Sequence, residues 1–162
     1  MSATQPAKMT PEEKEAFHRE AEARVTTFSY KKPAQSGRPK DVAWLSKSPL
    51  IRVNVQVVRE GGENNLHYHT GSDTTWMVLR GRCRFYGPGD VLIADVGPDE
   101  GILLPGGARY WFEKAGPEDL ELLQMVGYDR SAGDAKRINV DAHKDWMDTE
   151  NLLVYEDTAA AR

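Results

Sequence analysis

The fold class this sequence predicts is all-β, a sandwich or barrel, and three observations carry that reading. Short β-branched and aromatic segments recur from residue 51 to residue 128, separated by Gly, Pro, Asn and Asp turn signals. Segment 51–58 alternates cleanly, with Val53, Val55 and Val57 on one face and Arg52, Asn54 and Gln56 on the other, which is the period of a strand. No helical period appears anywhere in that span.

Composition narrows the function classes. The chain has 162 residues, enough for one domain with a real core and too few to presume two. It is 40% hydrophobic and 28% charged, as globular proteins are, with a mean hydropathy of -0.61. The 21 basic and 25 acidic residues leave a formal charge of -4, so neither nucleic acid nor an anionic membrane is expected as a partner. Cys83 is the single cysteine, which excludes an intrachain disulfide. Residues 1–9 carry no apolar signal core, and no run approaches the ~20 apolar residues of a membrane span, so a cytoplasmic location is expected.

Taken in order, residues 1–24 are a disordered leader followed by a helix. Thr10 is placed to cap the helix, Pro11 suits its first position, and Glu13 completes a capping box. The apolar face is narrow, with Phe17 its only large member, so the helix is expected to dock on the domain or on a second subunit. His18 reads as a surface residue. Residues 25–128 are expected to form the barrel, with its motif-bearing part at 51–128, and residues 129–162 a C-terminal arm ending in a disordered tail at 156–162. Within the barrel, 25–30 reads as a strand, 31–40 as a loop and 42–45 as a short strand. After segment 51–58, Gly61, Gly62, Asn64 and Asn65 make a turn into a strand bearing His67 and His69. A loop at 70–72 leads to strands at 75–80 and 82–86, with Gly81 between them. Further strands are expected at 91–96, 102–104, 109–113 and 120–127, each bounded by Gly or Pro turns. Segments 138–140 and 152–155 are either short strands or covering arms.

His67 and His69 stand two residues apart on a strand, so their side chains share a face while Leu66 and Tyr68 point the other way. Two imidazoles at that spacing suit one transition metal; the alternative is that they only hydrogen-bond within a polar pocket.

These residues resemble the cupin superfamily, whose members are double-stranded β-helix or jelly-roll barrels. The family's first motif runs Gly, five residues, His-x-His, three or four residues, Glu, six residues, Gly, and Gly61, His67, His69 and Gly81 fall on it. The stretch from Trp76 to Gly81 also resembles the family's aromatic-x-Val-Leu-x-Gly segment. In the second motif Pro105 and Gly107 match, while Gly101 lies close to the first glycine without matching its spacing. The resemblance implies a cupin jelly roll, with the N-terminal helix and C-terminal extension appended, and a homodimer.

The same comparison shows departures. A typical cupin site has three His and one Glu. Here Thr74 occupies the glutamate position counted back from Gly81, Asp73 fits the shorter spacing counted from His69, Tyr110 stands at the third histidine and Lys114 at the asparagine. The resemblance implies His67, His69 and Asp73 as ligands of a divalent transition metal, Fe(II) or alternatively Zn, Ni or Mn. Two His and one carboxylate would suit dioxygenase-like chemistry, and isomerase-like chemistry is the other option. Tyr110 is expected as a proton donor or fourth ligand, with Thr74, Trp76 and Phe112 around a small-molecule substrate. The alternative is a metal-free cupin that binds or senses a small metabolite. Trp76, Leu79, Phe85, Phe112 and Met125 are expected to line or fill the barrel, Cys83 to be buried, and His143 to lie on the surface. Arg80, Arg82 and Arg84 share one face, solvated or facing acidic residues.

Overall fold

The computed structural model describes residues 9–147 and 152–155. The expected leader at 1–8 and tail at 156–162 lie outside the described residues. Helix α1 (Pro11–Glu22) forms as its first turn dictates. The Glu13 N–H donates to Thr10 Oγ1 at 3.2 Å and the Thr10 N–H donates to Glu13 Oε2 at 2.8 Å. Among the described residues nothing covers this helix: none of its residues is buried, and Phe17 is 53% exposed. Its apolar face is too narrow to hold it down.

Among the described residues eleven strands follow: β1 (Lys40–Lys47), β2 (Ile51–Val58), β3 (Asn64–His69), β4 (Ser72–Arg80), β5 (Cys83–Tyr86), β6 (Leu92–Val96), β7 (Gly101–Leu104), β8 (Tyr110–Lys114), β9 (Leu120–Tyr128), β10 (Arg137–Asn139) and β11 (Leu152–Tyr155). They form one sheet in the order β11-β1-β2-β9-β4-β7 and a second in the order β10-β3-β8-β5-β6. The sheets share a core in which Val58, Trp76 and Leu122 of the larger meet Phe85, Tyr110 and Phe112 of the smaller. That is the jelly-roll solution for strands with an apolar face to hide. Cys83 is buried in this core, as expected.

The strand expected at 25–30 is a correction, since these residues are irregular. Segment 25–38 instead crosses the outside of the larger sheet. Tyr30 Oη donates to Glu121 Oε2 at 2.7 Å, Lys32 pairs with Asp119 at 3.0 Å, and Ser36 Oγ donates to Asp41 Oδ1 at 2.8 Å. Strand propensity yields to tertiary context, and β1, the strand that follows, is paired with β2 on one side and β11 on the other.

Strand β2 turns its polar face inward. Asn54 is buried and donates to Gln124 Oε1 at 2.9 Å, while Gln56 lines the cavity described below. Val55 and Val57 are buried as well, on the opposite side, which segment 25–38 crosses. The smaller sheet is covered outside by the chain after β10. The Val140 N–H donates to Leu66 O at 2.9 Å, and Met147 packs with Leu66 and Trp111.

A close backbone approach seats the start of β1. The Arg59 N–H donates to Pro39 O at 2.7 Å, and a Cβ on Gly62 would lie 2.1 Å from that same oxygen. Only glycine lets the 59–62 turn lie against Pro39. Gly62→Ala is therefore expected to push Pro39 and Lys40 aside at a cost of about 1–3 kcal/mol. An unchanged midpoint in thermal denaturation would refute this.

Candidate ligand pocket

A cavity of about 410 Å³ opens between the sheets. His67 and His69 of β3, Tyr110 of β8, Trp76 of β4, Gln56 of β2 and Gln124 of β9 line it. Lys40 and Val42 of β1, Arg137 of β10, Glu63, Asn64 and His143 complete the wall. A wider groove of about 700 Å³, bordered by Lys47, Arg52, Tyr128 and Asp129, contains none of the candidate site residues read from the sequence.

The histidine pair is brought together as its spacing requires, with ring centroids 5.1 Å apart. Tyr110 pairs across the ladder with His67, and its ring lies 4.5 Å from that imidazole and 6.5 Å from His69. His67 Nδ1 is 2.6 Å from the Asn65 carbonyl oxygen. A carbonyl only accepts, so Nδ1 carries the proton and Nε2 keeps its lone pair. Burial drives the His67 ring down to about 3, with the Arg137 and Lys40 charges pushing the same way. Burial and Arg137 lower His69 too. Both rings are therefore neutral near pH 7.

Tyr110 accepts a hydrogen bond from Trp76 Nε1 at 3.4 Å, and burial pushes its hydroxyl up to about 12. It is a phenol at physiological pH and can donate a proton.

The β3–β8 register slips between Asn64 and His67. Strict alternation would put Asn64 on the face opposite the histidines; the bulge brings it onto their face. There Asn64 Oδ1 accepts from Lys40 Nζ at 2.6 Å, and the ammonium lies 5.4 Å from the centre of the Phe112 ring. Burial pulls Lys40 down to about 7; Arg137 adds to this and Glu63 partly opposes it. Glu63 Oε1 accepts from the Lys114 N–H at 3.4 Å, its Oε2 is buried without a hydrogen-bond partner among the described residues, and burial raises its carboxyl. Arg137 sits opposite His69 in the β10–β3 ladder, and its guanidinium donates to Asn65 Oδ1.

Three site expectations need correcting. Asp73 was expected as the third ligand, but β4 begins at Ser72, and the alternation that turns Ser72, Thr74 and Trp76 inward turns Asp73 outward. Its carboxylate accepts from the Gly106 N–H at 2.8 Å, outside the cavity. Thr74 does point inward and is buried, yet it lies off the cavity wall. Phe112 belongs to the core rather than the wall, with Trp76 at 5.4 Å and Phe85 at 5.8 Å. Trp76 and Tyr110 do line the cavity. His143 is exposed, as expected, but at the cavity's edge.

The donor set does not fit a resident divalent ion. Among the described residues no three His, Cys, Asp or Glu side chains come together to hold one. The pair of imidazoles lacks a carboxylate partner, and Lys40 and Arg137 share their cavity. Cationic neighbours oppose a second cation, and two neutral nitrogens do not offset that repulsion.

Sequence reasoning missed Lys40, Glu63, Asn64 and Arg137. Glu63 and Asn64 sit inside the first motif, between Gly61 and His67, and that proximity was the only available signal. Lys40 and Arg137 reach the pocket through strand register and carry no local signature.

A two-sheet jelly roll whose His-x-His strand faces the interior defines a class, and the chain has the cupin fold. Solved structures similar to it include a protein with a double-stranded β-helix domain from Klebsiella pneumoniae, with a TM-score of 0.56 and 15% identity, covering 88% of this chain and 98% of that one. An RmlC-like cupin family protein from Methanocaldococcus jannaschii matches with a TM-score of 0.54 and 14% identity over 67% of this chain and 94% of its own. An RmlC-like cupin from Desulfovibrio desulfuricans gives 0.51 and 17% over 60% and 89%. No protein-family model and no curated protein matches the sequence. No helix among the described residues is long and apolar enough to cross a membrane.

Proposed function

We propose that the cavity is a metal-independent site for a small anionic metabolite, the second of the two cupin functions the sequence suggests. The observation that carries this reading is the convergence of Lys40 and Arg137 on a pocket whose two imidazoles are neutral. Among the described residues Glu63 is the only acid on the wall, and burial raises its carboxyl. A volume of about 410 Å³ is suited to a small molecule. The guanidinium would pair with a carboxylate or phosphate, and the His67 Nε2 lone pair, the Tyr110 hydroxyl and the Gln56 and Gln124 amides would read the ligand's hydroxyl and carbonyl groups.

Titration calorimetry with lactate and with inorganic phosphate tests this. Arg137→Gln is expected to weaken binding of the preferred anion about tenfold or more, whereas Asp73→Asn, outside the cavity, leaves it unchanged. Affinity should also fall as pH rises through about 7, because Lys40 loses its charge there. Equal affinity in the Arg137→Gln protein, or stoichiometric transition metal in protein purified without chelator, would overturn the reading.

A further inference from the structure

Lys40 is the wall residue whose surroundings ordinary anion binding explains least. It is buried, and among the described residues the hydrogen-bond partner of its amine is the neutral Asn64 side chain. No carboxylate among the described residues pairs with it directly; Glu63 acts on it only through space, and Arg137 repels it. Its amine rests near the face of Phe112 on one side and borders the cavity on the other. Burying an ammonium without a counter-ion opposes folding. An amine desolvated next to a second cation spends a large share of its time neutral, and a neutral amine is a nucleophile.

We propose that Lys40 forms an imine with a small 2-oxo carboxylate whose carboxylate group is held by Arg137. This rests on the reading of the cavity as an anion site and names the ligand class. The Lys40 nitrogen lone pair attacks the ketone or aldehyde carbon, forming the C–N bond while the carbonyl oxygen takes up a proton. The resulting hydroxyl takes a second proton and leaves as water as the nitrogen gives up its own, which yields C=N. One carbonyl and one primary amine thus give one imine and one water, with no oxidant or reductant. Glu63, whose Oε2 has no hydrogen-bond partner among the described residues, lies on the same wall and is the acid placed to exchange those protons. Asn64 Oδ1 holds one amine N–H and so fixes the direction of attack. The imine then draws electrons from the adjacent carbon, next to a phenol and two neutral imidazoles able to move a proton there.

The full chain is treated with pyruvate and with glyoxylate in the presence of sodium borohydride, which reduces any imine to a stable secondary amine, and its peptides are mapped by mass. The expected result is one dominant adduct, on Lys40, exceeding any surface lysine by about tenfold and growing between about pH 6 and about pH 8. It should be suppressed by excess lactate, which has the carboxylate but no carbonyl, and reduced in Arg137→Gln. Lys40→Met, whose fold is checked by circular dichroism, should carry no dominant adduct. Lactate binding measured on the same protein separates the two ideas. Binding with Lys40 unmodified overturns the imine and leaves the anion site standing; no binding of either acid and no adduct overturns both. An adduct on Lys40 indifferent to lactate and to Arg137→Gln overturns the role given to Arg137.

Discussion

Asp41→Ala is expected to lower stability by about 3–5 kcal/mol, a fall of roughly 6–20 °C in the thermal midpoint for a domain of this size. Asp41 has no exposed side-chain surface, and both of its oxygens are used. Oδ2 pairs with Arg59 Nη1 at 2.8 Å, and Oδ1 accepts from Ser36 Oγ at 2.8 Å. Arg59 is 12% exposed; its other ionic contact, to Asp119, is longer at 3.4 Å. Removing the carboxylate therefore leaves a nearly buried guanidinium short of charge compensation, and that orphaned charge accounts for most of the effect. The double variant Asp41→Ala/Arg59→Met should recover a large part of the loss, because it removes the orphan as well. A double variant as unstable as the sum of the two single ones would show that the pair is not coupled.

Phe112→Ala is expected to cost about 3–5 kcal/mol as well, by a different route. The ring is fully buried between Trp76 and Phe85 and lies beneath the Lys40 amine. Truncation empties a well-packed space that neighbouring strands, held in register on both sides, cannot close. The result discriminates between two roles for this residue. A wall residue would lower ligand affinity while leaving the denaturation midpoint nearly unmoved; a core residue does the reverse. Chemical denaturation and lactate calorimetry on the same preparation separate them.

The parts of the site that could be read from the sequence are those set by local geometry. His67 and His69 share a face because strand side chains alternate, and Trp76 and Tyr110 follow from the motif spacing that also reveals the fold. Asp73 failed on the same rule that made the histidines succeed. With Trp76 turned inward, parity along β4 already places residue 73 outside, provided the strand extends back to Ser72; reading 70–72 as a loop hid that. The expected strand at 25–30 failed because a sheet edge can be occupied by chain arriving much later, here β11. Asn64 entered the pocket through a bulge, which alternation cannot foresee. Lys40 and Arg137 were illegible for a simpler reason: each is distant in sequence from the histidines, and only the pairing of β1 with β2 and of β10 with β3 brings them in.

That dependence on β10 has a consequence for the order in which the molecule becomes competent. Synthesis delivers the histidine strand well before Arg137. The strands up to β9 can pair while the cup still lacks its guanidinium, and β10 docks on an edge already built. The same stretch of chain then covers Leu66 and Trp111 on the outside. If the cavity takes an anion as proposed, its guanidinium thus arrives only with β10, together with the cover that shields the back of the histidine strand.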